Sequence, residues 1–299
     1  MNARHLPLTP QETAVRVRGI AFILLAVFCF ALLDAAAKYL SHIVPALETA
    51  WCRYSVNFIL AVVFLRPWRH WPDYVTKRPW LQVWRAMCLL GTTLFSFVAV
   101  RYLPLAITSS VQFAGPLLAT ALAGPMLGEW PGPRRWAAVT VGFIGVLIVI
   151  RPDSAAFNPA TLLSVGSALC FAFYSLATRR LSATDSPSGM AIYAAGLSTI
   201  VLAPTLPAVA ILPPSWVVAA ALVATGVFGG LGHWLLIMAH RDAPPTVLAP
   251  FNYTQLIWAI ALGYFLFDNV PDRSTLIGAA LIVASGLYAL YRERIRRDR

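Results

Sequence analysis

Charge is scarce in this sequence. Asp, Glu, Lys and Arg make up 12% of the 299 residues, against roughly 25% in an ordinary soluble domain. A water-soluble fold of this size could not cover its surface with so few. Cysteine is scarce too: Cys29, Cys52, Cys88 and Cys170 are scattered through apolar runs, where a free thiol packs as a small hydrophobe. That excludes a disulfide scaffold. With no CxxC or Cys/His cluster, a structural metal has no support either. Also missing are a Walker A loop, HExxH, a nucleophile elbow and a Rossmann glycine pattern in a strand–helix context. Loops are too short for a soluble catalytic domain, so neither an enzyme nor a cofactor is expected. No selectivity-filter signature marks a channel.

Acidic residues are rarer than basic ones, 12 against 23, for a formal charge of +11. The basic residues sit between apolar runs and form no amphipathic stripe, which reads as membrane-flanking charge and not as a nucleic-acid surface. What is abundant is hydrophobicity, at 59% of the chain.

A helix needs roughly 20 apolar residues to cross a bilayer, because its backbone must satisfy its own hydrogen bonds there. Ten runs qualify: Gly19–Leu40, Pro45–Leu65, Trp80–Val100, Pro104–Pro125, Trp136–Ile150, Pro159–Thr178, Ser188–Leu206, Ser215–His240, Pro245–Phe267 and Ser274–Tyr291. Pro204, Pro207, Pro213 and Pro214 divide the long uncharged stretch after Pro187 into two of them. With the N-terminus inside, most Lys and Arg fall on inner segments, including a run of five Arg after the last span. Outer loops receive only Arg101, Arg151 and Arg273. The positive-inside rule therefore places both termini in the cytoplasm. Trp68, Trp71, Trp80, Trp130, Trp136 and Trp216 fall near expected interfaces, as anchors should.

Two internal matches point to duplication. CFALLDAAAKYLS from Cys29 parallels CFAFYSLATRRLS from Cys170, and Arg101-Tyr-Leu-Pro104 parallels Arg241-Asp-Ala-Pro244. Five spans per unit is an odd number, so the second unit enters the bilayer opposite to the first. The expectation is an all-α integral membrane protein with ten transmembrane helices in two inverted five-helix repeats, residues 19–150 and 159–291, around a central cavity. A cytoplasmic segment, 1–18, precedes them and a basic cytoplasmic tail, 292–299, follows. Inverted repeats suit alternating access.

Polar groups inside apolar spans mark function or structure. Asp34 and Lys38 share a helix face; Glu48, Arg53 and Asn57 follow on the second span. These charges form either a structural ion-pair network or an outer gate. In the fourth and ninth spans Ser109, Gln112, Phe113 and Pro116 form a stripe whose counterparts are Ala249, Asn252, Tyr253 and Leu256. Amide beside aromatic in both halves suits either a shared substrate cavity or helix adhesion by buried amides. Gly115-Pro116 and Pro250 are placed to bend those helices. His233, within GGLGHWLL, binds substrate, senses protons or serves packing. Trp84, Tyr174, Tyr193, Gln255 and Trp258 are further lining candidates. Gly142, Gly145, Gly278 and Gly286 favour close packing, within the chain or between subunits; a monomer is expected, with a dimer as the alternative.

The segments AITSSVQFAGPLLATALAGPMLGEWPGPRRWAAVTVGFIGVLIVIRP and APPTVLAPFNYTQLIWAIALGYFLFDNVPDRSTLIGAALIVASG resemble the ten-helix EamA-type exporters of the drug/metabolite transporter superfamily, over essentially residues 19–292. Gly128-Glu129 resembles the family's element after the fourth span; Asp268-Asn269 stands in its place in the second half, a departure. Among these proteins the chain is most similar to the aromatic amino-acid exporter group. The resemblance implies a bacterial inner-membrane carrier exporting amino acids, aromatic and other neutral ones included, through a cavity lined by Gln112, Phe113, Asn252 and Tyr253 with His233 nearby. An uptake carrier for a nucleoside-like or vitamin-like solute is the alternative within transport, and a non-transporting membrane scaffold the alternative outside it.

Overall fold

The computed structural model describes residues 10–69, 71–152 and 157–297. Residues 1–9 of the expected N-terminal segment and 298–299 of the tail lie outside them. The protein is an all-α, multi-spanning membrane protein. Its helices are α1 (Pro10–Leu40), α2 (Ala46–Leu65), α3 (Pro79–Tyr102), α4 (Leu105–Gln112), α5 (Gly115–Leu127), α6 (Pro133–Ile150), α7 (Thr161–Leu181), α8 (Pro187–Leu202), α9 (Leu206–Val209), α10 (Trp216–Asp242), α11 (Pro245–Asn252), α12 (Thr254–Phe267) and α13 (Arg273–Arg297). Seven units among the described residues are long and apolar enough to cross a membrane; α4–α5 and α8–α9 each count as one of them. The helix α2 is 20 residues long, and Glu48, Arg53 and Asn57 dilute its apolar character.

Local chemistry explains the boundaries. Proline stands in the first turn of α3, α6, α8 and α11, where its missing N–H costs no helical bond. The hydroxyls of Ser186 and Ser215 cap α8 and α10 by accepting from the N–H groups of Gly189 and Val218. Four differences from the sequence expectation have physical causes. The helix α1 begins at Pro10 and α13 continues to Arg297, so the helical hydrogen-bond ladder extends beyond the apolar stretches at both ends of the chain. The fourth and ninth spans are each broken in two, at residues 113–114 and at Tyr253, beside Pro116 and Pro250. Proline cannot donate to the ladder at those points.

Residue contacts fix the helix directions. Arg18 bonds Asp242 while Leu40 packs with Val218, so α1 and α10 are antiparallel. Arg85 meets Thr178 and Phe95 meets Gly166, so α3 and α7 are antiparallel. Gly145 lies against Gly278, and Gly142 against Ser285, which runs α6 antiparallel to α13. These three seams are the most extensive in the molecule. The packing also has an internal correspondence. Exchange α1 with α7, α2 with α8, α3 with α10, α5 with α12, and α6 with α13. The α1–α10 seam then becomes α3–α7, α2–α10 becomes α3–α8, and α5–α7 becomes α1–α12, and all of these seams are present.

Large apolar side chains face outward: Phe64 is 73% exposed and Phe265 78%. Outward apolar surface on this scale fits lipid as the solvent and would be a liability in water.

Candidate functional site

The two helix breaks meet. Phe113, which ends α4, and Tyr253, between α11 and α12, stack at 5.1 Å between ring centroids. Both turn toward α6 and α13. Phe113 packs on the cluster of Val146, Val149, Ile150 and Ile282, and a Cβ at Gly286 would run into the Tyr253 hydroxyl. The aromatic half of the expected cavity stripe thus braces the α6–α13 seam. Ser109 is buried in α4, and Pro116 lies exposed in the first turn of α5. Gly115 is where α5 meets α7: a Cβ there would lie 2.7 Å from the Phe171 ring.

The amides behave differently. Gln112 Oε1 accepts from the Ser167 hydroxyl of α7 at 2.8 Å. Gln255 Nε2 donates to Asp34 of α1 at 3.3 Å. Each broken helix therefore reaches by an amide to the helix that opens the other half. Asn252, the residue expected to match Gln112, ends α11 with no hydrogen bond from its amide among the described residues.

The four charges of α1 and α2 do not pair with one another, and no ion pair within 4.0 Å joins any two of them. Lys38 instead donates to the carbonyls of Val100 (3.0 Å) and Leu103 (2.7 Å) at the end of α3, with its ammonium 5.5 Å from the Phe267 ring centroid. Glu48 accepts from the Ile211 N–H at 3.0 Å. Carbonyls and N–H groups freed at helix ends are natural partners for such charges. Arg53, only 8% exposed, donates through Nη1 to Thr93 Oγ1 at 2.7 Å and lies beside the rings of Tyr54 and Phe97, 5.2 and 5.6 Å from their centroids. The Tyr54 hydroxyl shares a 2.6 Å bond with Thr93. Arg53 Nε is buried with no partner among the described residues.

His233 sits edge-on to Phe30, 5.1 Å between ring centroids. On the same helix Gly229 lets Arg53 approach: a Cβ there would lie 3.5 Å from Arg53 Nε and 3.0 Å from Leu33. Gln255 of α12 thus meets Asp34 of α1, and the charge of Arg53 on α2 acts electrostatically on both Asp34 and His233. Trp258 packs against Phe28 at 4.7 Å. Trp84 is half-exposed against Phe173, away from that cluster. Tyr174 and Tyr193 lie on α7 and α8.

Sequence reasoning missed Arg85. Six residues past Pro79 it resembles a flanking charge that snorkels to the interface, yet it is 4% exposed. Its Nε donates to Thr178 Oγ1 (2.7 Å), Nη1 to the Met190 carbonyl (2.8 Å) and Nη2 to the Tyr174 hydroxyl (3.1 Å), tying α3 to α7 and α8. The spacing Arg85, Leu89, Thr93, Phe97 is one helix face, the signal that was there to read.

At one end of the bundle a cavity of about 470 Å³ is lined by Tyr74, Lys77, Thr184, Ser186, Ser188 and Arg241 among others. These are loop and helix-end residues, and none of them belongs to the Asp34–Arg53 group. Asp185 latches two loops beside it, accepting from Gln82 Nε2 at 2.7 Å and Thr184 at 2.8 Å. Burial pushes its carboxyl up, but bonds from Thr76, Gln82, Thr184 and the Lys77 N–H outweigh that and hold it below the usual carboxylate range. Among the described residues no group of three or more His, Cys, Asp or Glu could hold a metal ion.

Gly128-Glu129 and its counterpart end α5 and α12 alike. Gly128 and Asp268 both adopt positive φ, 74° and 54°. Their N–H groups bond Gly124 and Tyr264 carbonyls, and the following N–H groups, of Glu129 and Asn269, reach Ala123 and Gly263. This is the same helix-ending device in both. The departure in sequence changes side-chain chemistry but not the turn. Glu129 additionally pairs with Arg179 at 2.8 Å.

Comparison with known proteins gives concordant results. The model of the EamA-like transporter family matches twice, over residues 17–151 and 158–291. The chain is 29% identical to an S-adenosylmethionine uptake transporter of Rickettsia conorii over 94% of this chain and 95% of that one. It is 29% identical to a riboflavin transporter of Vibrio cholerae over 100% and 99%, and 26% identical to the pseudopaline exporter CntI of Pseudomonas aeruginosa over 89% and 94%. A protein crystal structure 19% identical in sequence superposes with a TM-score of 0.62, covering 93% of this chain and 97% of that chain, a likeness of fold.

Proposed function

The chain belongs to the EamA-like transporter family, and from that premise we propose that it is an uptake carrier for a nucleoside-like or vitamin-like solute in the bacterial inner membrane. It is a secondary transporter of small metabolites, not an enzyme. The single observation that carries the substrate reading is the near full-length match, at equal identity, to an S-adenosylmethionine uptake transporter and a riboflavin transporter. Both named solutes couple a heteroaromatic ring system to a polar chain. A site that joins Asp34, Arg53, His233 and Gln255 to the rings of Phe30 and Tyr54 suits such a molecule, with directional polar contacts beside apolar walls.

Ten spans in two oppositely inserted five-helix units, residues 19–150 and 159–291, complete the proposal, with both termini cytoplasmic. The exchangeable packing seams, the antiparallel helix pairs and the double match of the family model support it. In this scheme the two broken helices flex at Phe113 and Tyr253, and exchange of conformation between the halves exposes the site to either side in turn. Reporter fusions at Arg69 and Arg151 should report opposite sides of the membrane.

Export of amino acids is the second reading, favoured by the resemblance to the aromatic amino-acid exporter group and by the match to a pseudopaline exporter. Counterflow in proteoliposomes separates the two. Vesicles preloaded with unlabelled riboflavin or S-adenosylmethionine should accumulate the labelled solute saturably. Saturable counterflow of phenylalanine or tyrosine, with neither of the other two moving, would transfer the assignment to amino-acid export.

A further inference from the structure

We propose that Asp34 and Arg53 recognise an amino-acid head group on the transported solute, Arg53 taking its carboxylate and Asp34 its ammonium. The inference rests on the reading above, that α1, α2, α10 and α12 border the solute's route. It narrows the solute to one carrying a zwitterion beside its ring system.

The charged side chains that project into the bundle fall into two groups. Lys38 is committed to two carbonyls, Glu48 to a backbone N–H and Arg85 to three oxygens. Asp34 and Arg53 are not. A guanidinium has five N–H donors and a carboxylate about four acceptor positions. Among the described residues Arg53 uses one donor, on Thr93, and keeps a buried Nε without a partner. Asp34 accepts one long bond, from Gln255. The two charges act on each other electrostatically, yet no ion pair within 4.0 Å forms between them. Opposite charges inside a membrane protein ordinarily close on one another, because an uncompensated charge there is costly.

A zwitterion satisfies both ends at once and leaves the net charge of the site unchanged. A simple anion would occupy Arg53 and leave Asp34 facing a like charge; a simple cation would do the reverse. The guanidinium fork also suits a carboxylate, through paired charge-assisted hydrogen bonds. The glycines of α10 set how closely this junction packs. Gly229 lies against Arg53 Nε and Leu33, and Gly232 against Phe30, so α10 approaches the two charges with backbone and not with side chains.

The test is ligand binding to the purified full-length carrier with matched probes: S-adenosylmethionine, its decarboxylated analogue, its deaminated analogue and methylthioadenosine, which lacks the head group. The wild type should bind each incomplete probe at least tenfold more weakly than S-adenosylmethionine. Arg53→Gln should cease to discriminate against the decarboxylated probe while still rejecting the deaminated one. Asp34→Asn should do the opposite. A merely structural pair would weaken all probes alike in both variants, and that result overturns the proposal. So does a wild type that binds all four probes within threefold, a measurement independent of whether either variant folds. If S-adenosylmethionine and riboflavin fail to bind but tyrosine binds and tyramine does not, the head-group site stands and the nucleoside-like reading falls. A carrier that binds no zwitterionic probe in either series contradicts the proposal.

Discussion

Two arginines are buried on neighbouring helices of this bundle under opposite conditions. Arg85, on α3, spends three donors on oxygens of α7 and α8 and lays its guanidinium over the Tyr174 ring at 4.7 Å. Arg53, on α2, has one side-chain bond and a buried Nε with no partner among the described residues. A buried charge whose hydrogen bonds reach several elements holds them together, and one left short of partners carries an unmet cost. On the proposal above, the same residue type serves as a fastener in one region and as a receptor in the other, and the count of satisfied donors separates them.

The largest expected effect breaks the fastener. Arg85→Ala removes three charge-assisted bonds and a large buried side chain, and should lower stability by about 3 kcal/mol. Thermal unfolding of the detergent-purified protein checks this, and a loss below about 1 kcal/mol would make Arg85 no different from Arg53. The α6–α13 seam comes next. A Cβ at Gly145 would lie 2.8 Å from the Gly278 carbonyl and 2.9 Å from Ile282, so Gly145→Leu should cost about 1–3 kcal/mol by overpacking. Substrate selectivity should be unchanged, because this seam is remote from Arg53. Relative uptake of two probe solutes measures that, and altered selectivity would join the seam to the site.

Arg53→Gln should alter stability by less than about 1 kcal/mol, or raise it, since the substitution removes an incompletely satisfied charge. Uptake should nonetheless fall at least tenfold. Equal losses of fold and flux would erase the distinction between the two arginines.

The smallest effect belongs to the exposed pair Arg151–Asp272. The Arg151 bond, aided by the Thr275 N–H, holds the Asp272 carboxyl at about 2. A carboxyl depressed in the folded state stabilises it above the unfolded value of roughly 4 and loses that contribution as pH falls toward 2. Asp272→Asn should therefore cost no more than about 1 kcal/mol at neutral pH, discounted for exposure, and markedly less at pH 2. A pH-independent difference from the wild type would assign the effect to the turn and not to the charge.

Much of the fold is legible in the sequence because lipid imposes length and hydropathy on each span. Pro116 and Pro250 likewise announce where the fourth and ninth spans break. What a single sequence withholds is the neighbour. The stripe through Gln112 and Phe113 has a definite helical phase, but only packing shows that the amide turns to Ser167 while the ring turns to α6 and α13. Asp34, Lys38, Glu48 and Arg53 look like partners because they are close in sequence. Helix-end carbonyls and N–H groups, which no side-chain pattern displays, claim two of the four. Arg85 is read as a flanking charge because proximity to Pro79 cannot reveal that α7 and α8 cover it. In the other direction, Asp268-Asn269 looks like a loss of symmetry, and the backbone turn it makes is the one Gly128-Glu129 makes.

The account turns on which arginine meets the solute, and ligand-induced thermal stabilisation measures it directly. A bound solute raises the unfolding temperature by an amount that grows with the logarithm of its concentration over Kd. With S-adenosylmethionine near the wild-type Kd, Arg53→Gln should keep the ligand-free unfolding temperature of the wild type and lose most of the ligand-induced rise. Arg85→Lys should unfold earlier and keep the rise. The reverse pattern, with the rise lost at Arg85 and preserved at Arg53, would contradict the account.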